Sequence, residues 1–260
     1  MAYHLAAFYS SLDAAGAFTP VVPIADPMLF VQGNAIRVPT DMPNLIWLAG
    51  GADATVSPQF RLTSPSLTTV SRPQIQPVNV TSAAAALPGS PFNIMWVNDN
   101  PIALAGDELL TCDLLNNPGA AQFQWAMIQF GDSTPTPVVN GKIVHHRATS
   151  ATAAVANAWT NTVITFDDAL QPGNYAVVGL RGMSTSMVAA RMVFNNDPAH
   201  RPGVLGCQTA GGYGDQKFRD GRSGLMGTFP FTQTPTIDVL CNAADAAATM
   251  AFELDLIQIG

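Results

Sequence analysis

Phe123-Gln-Trp-Ala-Met-Ile-Gln-Phe-Gly131 and Phe252-Glu-Leu-Asp-Leu-Ile-Gln-Ile-Gly260 are two copies of one nine-residue pattern, 129 residues apart. Aligning the chain at this offset also pairs Cys112 with Cys241. Five positions are identical over residues 109–131, whereas composition alone gives roughly one or two. The offset is nearly half of the chain, so the pattern predicts an internal duplication. The alternative is a chance match between two similar strands.

The repeated stretch has the alternation of a β-strand. In the first copy Phe123, Trp125 and Met127 alternate with Gln and Ala residues. In the second copy large apolar residues at 252, 254 and 256 alternate with acidic ones. Period two predicts a strand with one buried face and one polar face. Nine residues span about 30 Å, which is long for a globular domain and suggests a central strand that ends each unit.

The repeat divides the chain into two β-domains. The first covers 1–131 and opens with an extended segment, 1–40. The second covers 132–260 and contains a glycine-rich loop, 206–227. Many short strands separated by turn signals predict an all-β fold. About eight strands in each half favour two tandem jelly-roll sandwiches, and two immunoglobulin-like sandwiches are the main alternative.

Helix is expected only as short pieces within loops. Residues 3–15 could hold one such helix, and the Ala-rich stretch 150–161, with Ser150 as its N-cap, is the best candidate in the chain. Residues 175–180 and 187–194 are predicted to pair as neighbouring strands around a glycine-containing turn. Residues 59–63 are predicted to form a strand, and a matching pair in the first half, at 45–48 and 60–62, would align Arg61 with Arg191.

Charge is scarce in this sequence. Charged residues make up 11% of the chain, the net charge is -7, and neither end carries a basic arm. Direct neutralisation of nucleic-acid phosphates is therefore not its expected task. A surface this poor in charge is better explained if neighbouring subunits cover much of it. No continuous apolar stretch is long enough for a membrane-spanning helix, and no secretory signal is visible.

The three cysteines give no sign of disulfide or metal chemistry. Cys112, Cys207 and Cys241 cannot all pair within one chain, and none of them has the spacing of metal ligands. We interpret them as free, buried, small apolar residues, which favours assembly in a reducing cell interior. The sequence therefore predicts neither a metal nor a cofactor.

No catalytic constellation stands out. His145 and His146 are adjacent, so on a strand their side chains point to opposite faces and cannot share a metal. Cupin enzymes resemble a paired jelly roll, but their His-x-His motif with a following Glu is missing here. The acidic pairs at 107–108 and 167–168 leave a paired-carboxylate hydrolase as a hypothesis. We expect no catalytic residues.

The glycine-rich loop is the most distinctive segment. It holds seven glycines, and it lacks the Gly-Lys-Ser/Thr of a phosphate-binding loop. Aromatic residues and arginine are enriched at protein interfaces, so Tyr213, Phe218, Arg219 and Arg222 are predicted to contact a neighbouring subunit. The alternative is a disordered loop.

Two halves of nearly equal size, the strand count and the lack of a catalytic constellation resemble the double jelly-roll major capsid proteins of tailless icosahedral viruses and phages. This resemblance concerns architecture and covers the whole chain. It implies homotrimers with six jelly rolls, which tile a shell around a genome in a virion assembled in the host cytoplasm. It also implies contacts with other capsid proteins and often an internal membrane, without sequence-specific binding of nucleic acid.

Two other classes of function compete with this expectation. A carbohydrate-binding or adhesin-like β-sandwich would use exposed aromatic residues or a calcium site in loops. A hydrolase built from paired sandwiches would act through a carboxylate pair. The state of assembly separates the capsid hypothesis from both, because the alternatives are monomers or small oligomers.

Overall fold

The computed structural model describes most of the chain. The described residues are 2–10, 17–53, 59–68, 78–79, 81–83, 94–96, 101–115, 124–132, 134, 137–208 and 224–260. The chain divides into two compact units, Ala2–Ser133 and Thr134–Gly260. The division lies two residues from the one placed by the sequence repeat. Almost all regular structure in both units is β, which confirms the predicted all-β class.

The described residues of the first unit form thirteen strands and one short helix. They are β1 (Tyr3–Ser10), β2 (Thr19–Pro20), β3 (Val22–Pro23), β4 (Val31–Gln32), β5 (Ala35–Arg37), β6 (Asn44–Asp53), β7 (Gln59–Thr63), α1 (Pro65–Thr68), β8 (Val78–Asn79), β9 (Thr81–Ala83), β10 (Ile94–Trp96), β11 (Ile102–Ala103), β12 (Leu109–Leu115) and β13 (Gln124–Gly131). The predicted strand at 59–63 has the same bounds as β7.

Two sheets build the first unit. One has the order β10-β6-β13-β1-β3, with β9 and β11 also paired to β6. The other has the order β4-β5-β12-β7-β8, with β2 paired to β12. Both sheets contribute side chains to one apolar core, including Phe8, Leu48 and Phe130 from the first sheet and Phe60 and Leu110 from the second. The unit is therefore two layers of sheet closed over a shared core.

Strand β13 departs from the prediction of one buried and one polar face. Ala126, Ile128 and Phe130 point into the core between the sheets. Trp125 and Met127, expected on the core side, lie on the opposite face, and they are buried there as well. The expected polar face is thus wrong for β13, because both sides of the strand are removed from water. Phe123 lies outside the described residues.

The second unit contains nine strands in its described residues. They are β14 (Ile143–Ser150), β15 (Trp159–Thr162), β16 (Ile164–Phe166), β17 (Asn174–Ser184), β18 (Met187–Val193), β19 (Gly203–Gln208), β20 (Gly227–Pro230), β21 (Thr236–Cys241) and β22 (Ala251–Gln258). They join in the order β15-β21-β18-β19-β17-β22-β14-β16, with β20 paired to β17. A parallel ladder between β17 and β19 links the two layers into a nearly barrel-shaped sheet.

Strand β22 follows the predicted alternation on its apolar side. Phe252, Leu254 and Leu256 point into the core of the second unit. Glu253 and Asp255 lie on the other face and are half-buried and buried, respectively. One face of this strand is therefore apolar and the other carries carboxylates, as predicted.

The two copies of the nine-residue pattern are out of phase in the structure. At an offset of 129, Trp125 aligns with Leu254, yet Leu254 belongs to its core cluster and Trp125 does not. Cys112 and Cys241, at the same offset, both belong to their core clusters. Eight residues separate β12 from β13 and nine separate β21 from β22. A one-residue change in a connection reverses which face of the next strand is buried.

Both predicted helices are wrong. Residues 3–10 form β1, which pairs with β13 along its whole length. In the Ala-rich stretch, β14 continues to Ser150, Ala154 and Ala156 form isolated bridges to Asp245 and Cys241, and β15 starts before the stretch ends. The helix propensity of alanine is weak enough for pairing with neighbouring strands to override it. The one helix in the described ranges is α1.

The predicted pairing of residues 175–180 with 187–194 is also wrong. These residues lie in β17 and β18, which follow each other closely in the chain but enter different layers. Strand β17 pairs with β22, β20 and β19. Strand β18 pairs with β21 and β19. The short turn is therefore a crossing between the layers and not a hairpin.

Candidate functional site

The four predicted contact residues, Tyr213, Phe218, Arg219 and Arg222, lie outside the described residues. The charged and exposed side chains of the described ranges are therefore the candidates for a functional site. Three groups stand out: a buried carboxylate between two arginines, a row of ion pairs on the outer face of the second unit, and an exposed apolar patch on the first unit.

The buried group is centred on Asp238 in β21. Arg191 in β18 lies opposite Asp238, and its Nε is 2.9 Å from Asp238 Oδ2. Arg201 approaches the same oxygen at 2.5 Å, and Asn161 in β15 donates to Oδ1 at 2.8 Å. The Arg191 guanidinium lies 4.1 Å from the ring centre of Trp159. We call these five residues the Asp238 cluster.

Burial makes the Asp238 cluster a tightly held element. The Arg191 side chain is fully buried, and that of Asp238 is 4% exposed. Taking such charges out of water is unfavourable unless they are paired and hydrogen-bonded, and here the carboxylate receives donors from three residues. The cluster ties β15, β18 and β21 together and occupies a structural position.

The first unit carries a smaller version of the same arrangement. Arg61 in β7 lies opposite Asp113 in β12, with Nη2 of Arg61 2.9 Å from Oδ2 of Asp113. The guanidinium covers the ring of Phe18 at 4.2 Å. This pair is more open, with side chains 31% and 15% exposed. Arg61 and Arg191, which the sequence aligned, both lie in such Arg–Asp–aromatic groups.

A row of ion pairs crosses β14, β22 and β17 on the outer face of the second unit. Glu253 lies between Arg147 and Arg181 in the strand register and forms an ion pair with Arg181. Asp255 forms a hydrogen bond with His145, whose side chain is 54% exposed. Gly179 lies opposite Asp255, and a Cβ atom there would approach the carboxylate to 2.7 Å, so this glycine makes room for it.

The adjacent histidines point to opposite faces of β14, as period two predicts. His145 contacts Asp255 on the outer face. His146 packs edge-on against Phe166, with ring centres 6.0 Å apart. In the residues that the structure describes, no three His, Cys, Asp or Glu side chains are grouped as metal ligands would be.

One member of each acidic pair considered for hydrolysis makes structural contacts. Glu108 accepts hydrogen bonds from the Ser64 and Ser66 hydroxyls and from the Ser66 backbone N–H, which holds the start of α1. Asp167 pairs with Arg147 at 2.8 Å on the surface. Asp107 has a φ of 67°, in the left-handed region that turns require.

Asp245 lies in a group of hydroxyls at one end of the second unit. It accepts hydrogen bonds from Ser186 at 2.9 Å, from Thr249 at 2.7 Å and from Thr185 at 3.3 Å. Burial alone would raise the pKa of the Asp245 carboxyl, but hydrogen bonds from these residues and from Ser184 outweigh it and hold the pKa below its ordinary value. The ionised carboxylate is thus the form that the fold stabilises.

We expect Asp245→Asn to destabilise the protein at neutral pH by about 2 kcal/mol, the range for hydrogen bonds to a charged group. Because the folded pKa is lower than the unfolded value of about 3.9, this stabilisation is present above pH 4. It is lost as the pH falls through the folded pKa. Urea unfolding of both proteins between pH 7 and pH 3 measures the difference, and a constant difference across this range would contradict the assignment.

Two thiols are held in apolar surroundings. Cys112 and Cys241 are free and fully buried. Burial raises the pKa of the Cys112 thiol well above its usual range, with a further increase from the charge on Asp113. Burial also raises the pKa of Cys241, to about 11. Both therefore remain protonated at neutral pH, as the interpretation of small apolar residues requires.

The exposed group lies on the first unit around β4 and β5. Phe30 is 60% exposed, Met28 is 40% exposed and Leu109 is 37% exposed. Arg37, opposite Leu109 in the ladder, covers the Phe30 ring at 5.1 Å. We call these four residues the Phe30 patch. Sequence reasoning missed this patch, because Leu109 is distant in sequence from the other three residues and their exposure has no local pattern.

Comparisons with known proteins do not assign a family. The chain matches no protein-family model, and a search of curated proteins finds no similar sequence. No described helix is long and apolar enough to cross a membrane. A functional proposal therefore rests on strand order, surface chemistry and charge.

Proposed function

We propose that the chain is a structural protein, the major capsid protein of a tailless icosahedral virus or phage, which assembles as trimers that tile a shell. Each unit would be a jelly roll, and the two would descend from one duplicated domain. The observation that supports this proposal is a set of eight strands in each unit that join in the same order.

A jelly roll has eight strands in two sheets, with the orders 1-8-3-6 and 2-7-4-5 when strands are numbered along the chain. In the second unit β14-β22-β17-β20 and β15-β21-β18-β19 correspond to these orders. In the first unit β1-β13-β6-β11 and β5-β12-β7-β8 correspond to them again. The remaining strands, β2, β3, β4, β9, β10 and β16, add to the edges or extend these sheets.

Two further correspondences support a duplication. The third strand of each scheme, β6 or β17, carries a one-residue bulge against the eighth, β13 or β22. The fourth and seventh strands carry an Arg–Asp pair under an aromatic ring in both units, Arg61–Asp113 and Arg191–Asp238. A shared position for such a group is hard to reconcile with two unrelated sandwiches.

The step from tandem jelly rolls to a shell is supported by surface chemistry. The chain is poor in charge and leaves several large apolar side chains exposed, which is typical of surfaces that other subunits cover. Of the carboxylates considered for catalysis, Asp167 makes a surface ion pair and Glu108 makes structural hydrogen bonds. A building block that joins copies of itself accounts for both features.

Light scattering after gel filtration, with negative-stain imaging of the same sample, tests the proposal. We expect a species of about 82 kDa, three times the chain mass of 27.3 kDa, or closed shells. A monomer that persists across salt and protein concentration would contradict the proposal. Glycan screening would then test a carbohydrate-binding sandwich.

A further inference from the structure

The Phe30 patch is open to solvent at Met28, Phe30 and Leu109. Arg37 joins Phe30 to Leu109, because its guanidinium covers the ring and its backbone lies opposite Leu109. The Arg37 N–H donates to the Phe30 carbonyl at 2.9 Å, which fixes the two residues together. Strand β4, which follows Phe30, is an edge strand of its sheet. Grouped exposed apolar side chains with a polar rim mark interaction surfaces.

Acidic side chains form part of the rim of this patch. The Asp107 N–H donates to the carbonyl of Val38, the residue after Arg37. A Cβ atom on Gly106 would lie 3.1 Å from Thr40 Cα, so the turns that carry Asp41 and Asp107 are in contact. Both aspartates are exposed. Arg37 and the two aspartates together carry a net charge of −1, so a partner with apolar groups and a positive charge suits this surface.

Charge is distributed unequally between the two units. Residues 2–133 contain three basic and nine acidic residues, a net charge of −6. Residues 134–260 contain eight basic and nine acidic residues, a net charge of −1. Contact between the first units of two copies would bring net charges of −6 and −6 together, whereas contact between a first and a second unit opposes −6 to −1 and is therefore less repulsive. Electrostatic complementarity of this kind selects partners and orientation.

The second unit offers a surface of the required chemistry near the start of β14. Lys142 is exposed there. Val138 is 67% exposed and Val144 is 43% exposed. We call residues 137–144 the Lys142 segment. It combines exposed apolar side chains with a cation, which complements the acid-rimmed Phe30 patch.

We propose that the Phe30 patch of one copy binds the Lys142 segment of another copy. The contact is heterologous, first unit to second unit, and such contacts close into rings when the rotation permits. This inference rests on the proposed function and adds the surfaces that join the copies. The charge difference between the units favours this head-to-tail orientation over contact between two first units.

Substitutions on the two surfaces test the contact, with assembly measured by light scattering over a range of protein concentrations. Phe30→Ser should raise the concentration at half-assembly about 10-fold or more, because aromatic anchors dominate interfaces. Phe231→Ser is the matched control, since Phe231 is 40% exposed on neither surface. The control should assemble like the wild type. Circular dichroism should show all variants folded, because these side chains are exposed in the single chain.

Charge reversal tests whether the Lys142 segment is the surface that binds the Phe30 patch. Asp41→Lys and Lys142→Asp should each raise the concentration at half-assembly, by about 10-fold, and the double variant should recover most of this loss. Wild-type assembly with no effect of Phe30→Ser, or no recovery in the double variant, would overturn the contact and leave the proposed function standing. A wild type that remains monomeric would overturn the proposed function and the contact with it.

Discussion

Replacing Asp238 with alanine is expected to destabilise the second unit by about 3–5 kcal/mol, the largest effect that we expect from one polar side chain. The substitution leaves the guanidinium groups of Arg191 and Arg201 without their shared carboxylate. The Arg191 side chain is fully buried, so water cannot replace the lost partner. Such a loss is a large share of the stability of an ordinary domain.

Asp113→Ala provides the matched control in the first unit. It removes the carboxylate from the corresponding Arg–Asp–aromatic group, but the Arg61 side chain is 31% exposed and can be solvated. We expect a loss of about 1 kcal/mol or less, as for other exposed ion pairs. Chemical unfolding of both variants measures the two effects. Equal losses would mean that burial of the guanidinium does not decide how much stability the carboxylate contributes.

Phe130→Ala is expected to destabilise the first unit by about 3–5 kcal/mol, since it empties part of a packed core. Phe130 is fully buried between the two sheets of its unit. Its partner in the nine-residue repeat, at the offset of 129, is Ile259. Ile259 is 46% exposed, so Ile259→Ala should change stability by about 0.5 kcal/mol or less.

This pair of substitutions tests the phase of the repeat directly. If the two copies occupied equivalent places, both truncations would empty a core and produce similar losses. If the copies are out of phase, only Phe130→Ala empties a core. Thermal unfolding followed by circular dichroism is sufficient, and a loss of more than about 2 kcal/mol for Ile259→Ala would contradict the packing of β22.

The strands that could be predicted from sequence are those in which composition and alternation agree. Residues 59–63 and 252–256 are examples, because their polar and apolar residues alternate between clear turn signals. The opposite orientation of His145 and His146 followed from the same period. These features depend on neighbours in the chain, so the chain itself reveals them.

The features that the sequence concealed depend on contacts between distant residues. Residues 3–10 fit either a helix or a strand until pairing with β13 decides between them. The Ala-rich stretch forms β-bridges with residues more than eighty positions away in place of the predicted helix. Which face of β13 points into the core depends on the length of the connection before it. An alignment of the repeat without gaps cannot show a one-residue difference in that length.

The candidate surfaces were harder to find than the fold. The Asp238 cluster joins residues from 159 to 238, and no spacing rule connects them. The Phe30 patch became visible only when exposure could be measured in the folded chain. The four contact residues predicted in the glycine-rich loop, Tyr213, Phe218, Arg219 and Arg222, lie outside the described residues and stay a prediction.

The parallel ladder between Gly182–Ser184 and Gly206–Gln208 closes the second unit along one side. On the side of β17 and β19, the layers can separate only if backbone hydrogen bonds break. On the other side, β15 and β16 belong to different layers, and only Val163 lies between them in the chain. The covalent chain therefore joins the layers there, and the Ala151 N–H adds a hydrogen bond to the Val163 carbonyl at 2.9 Å. A unit fastened on both sides resists being pulled open, so under tension its two layers should move as one block.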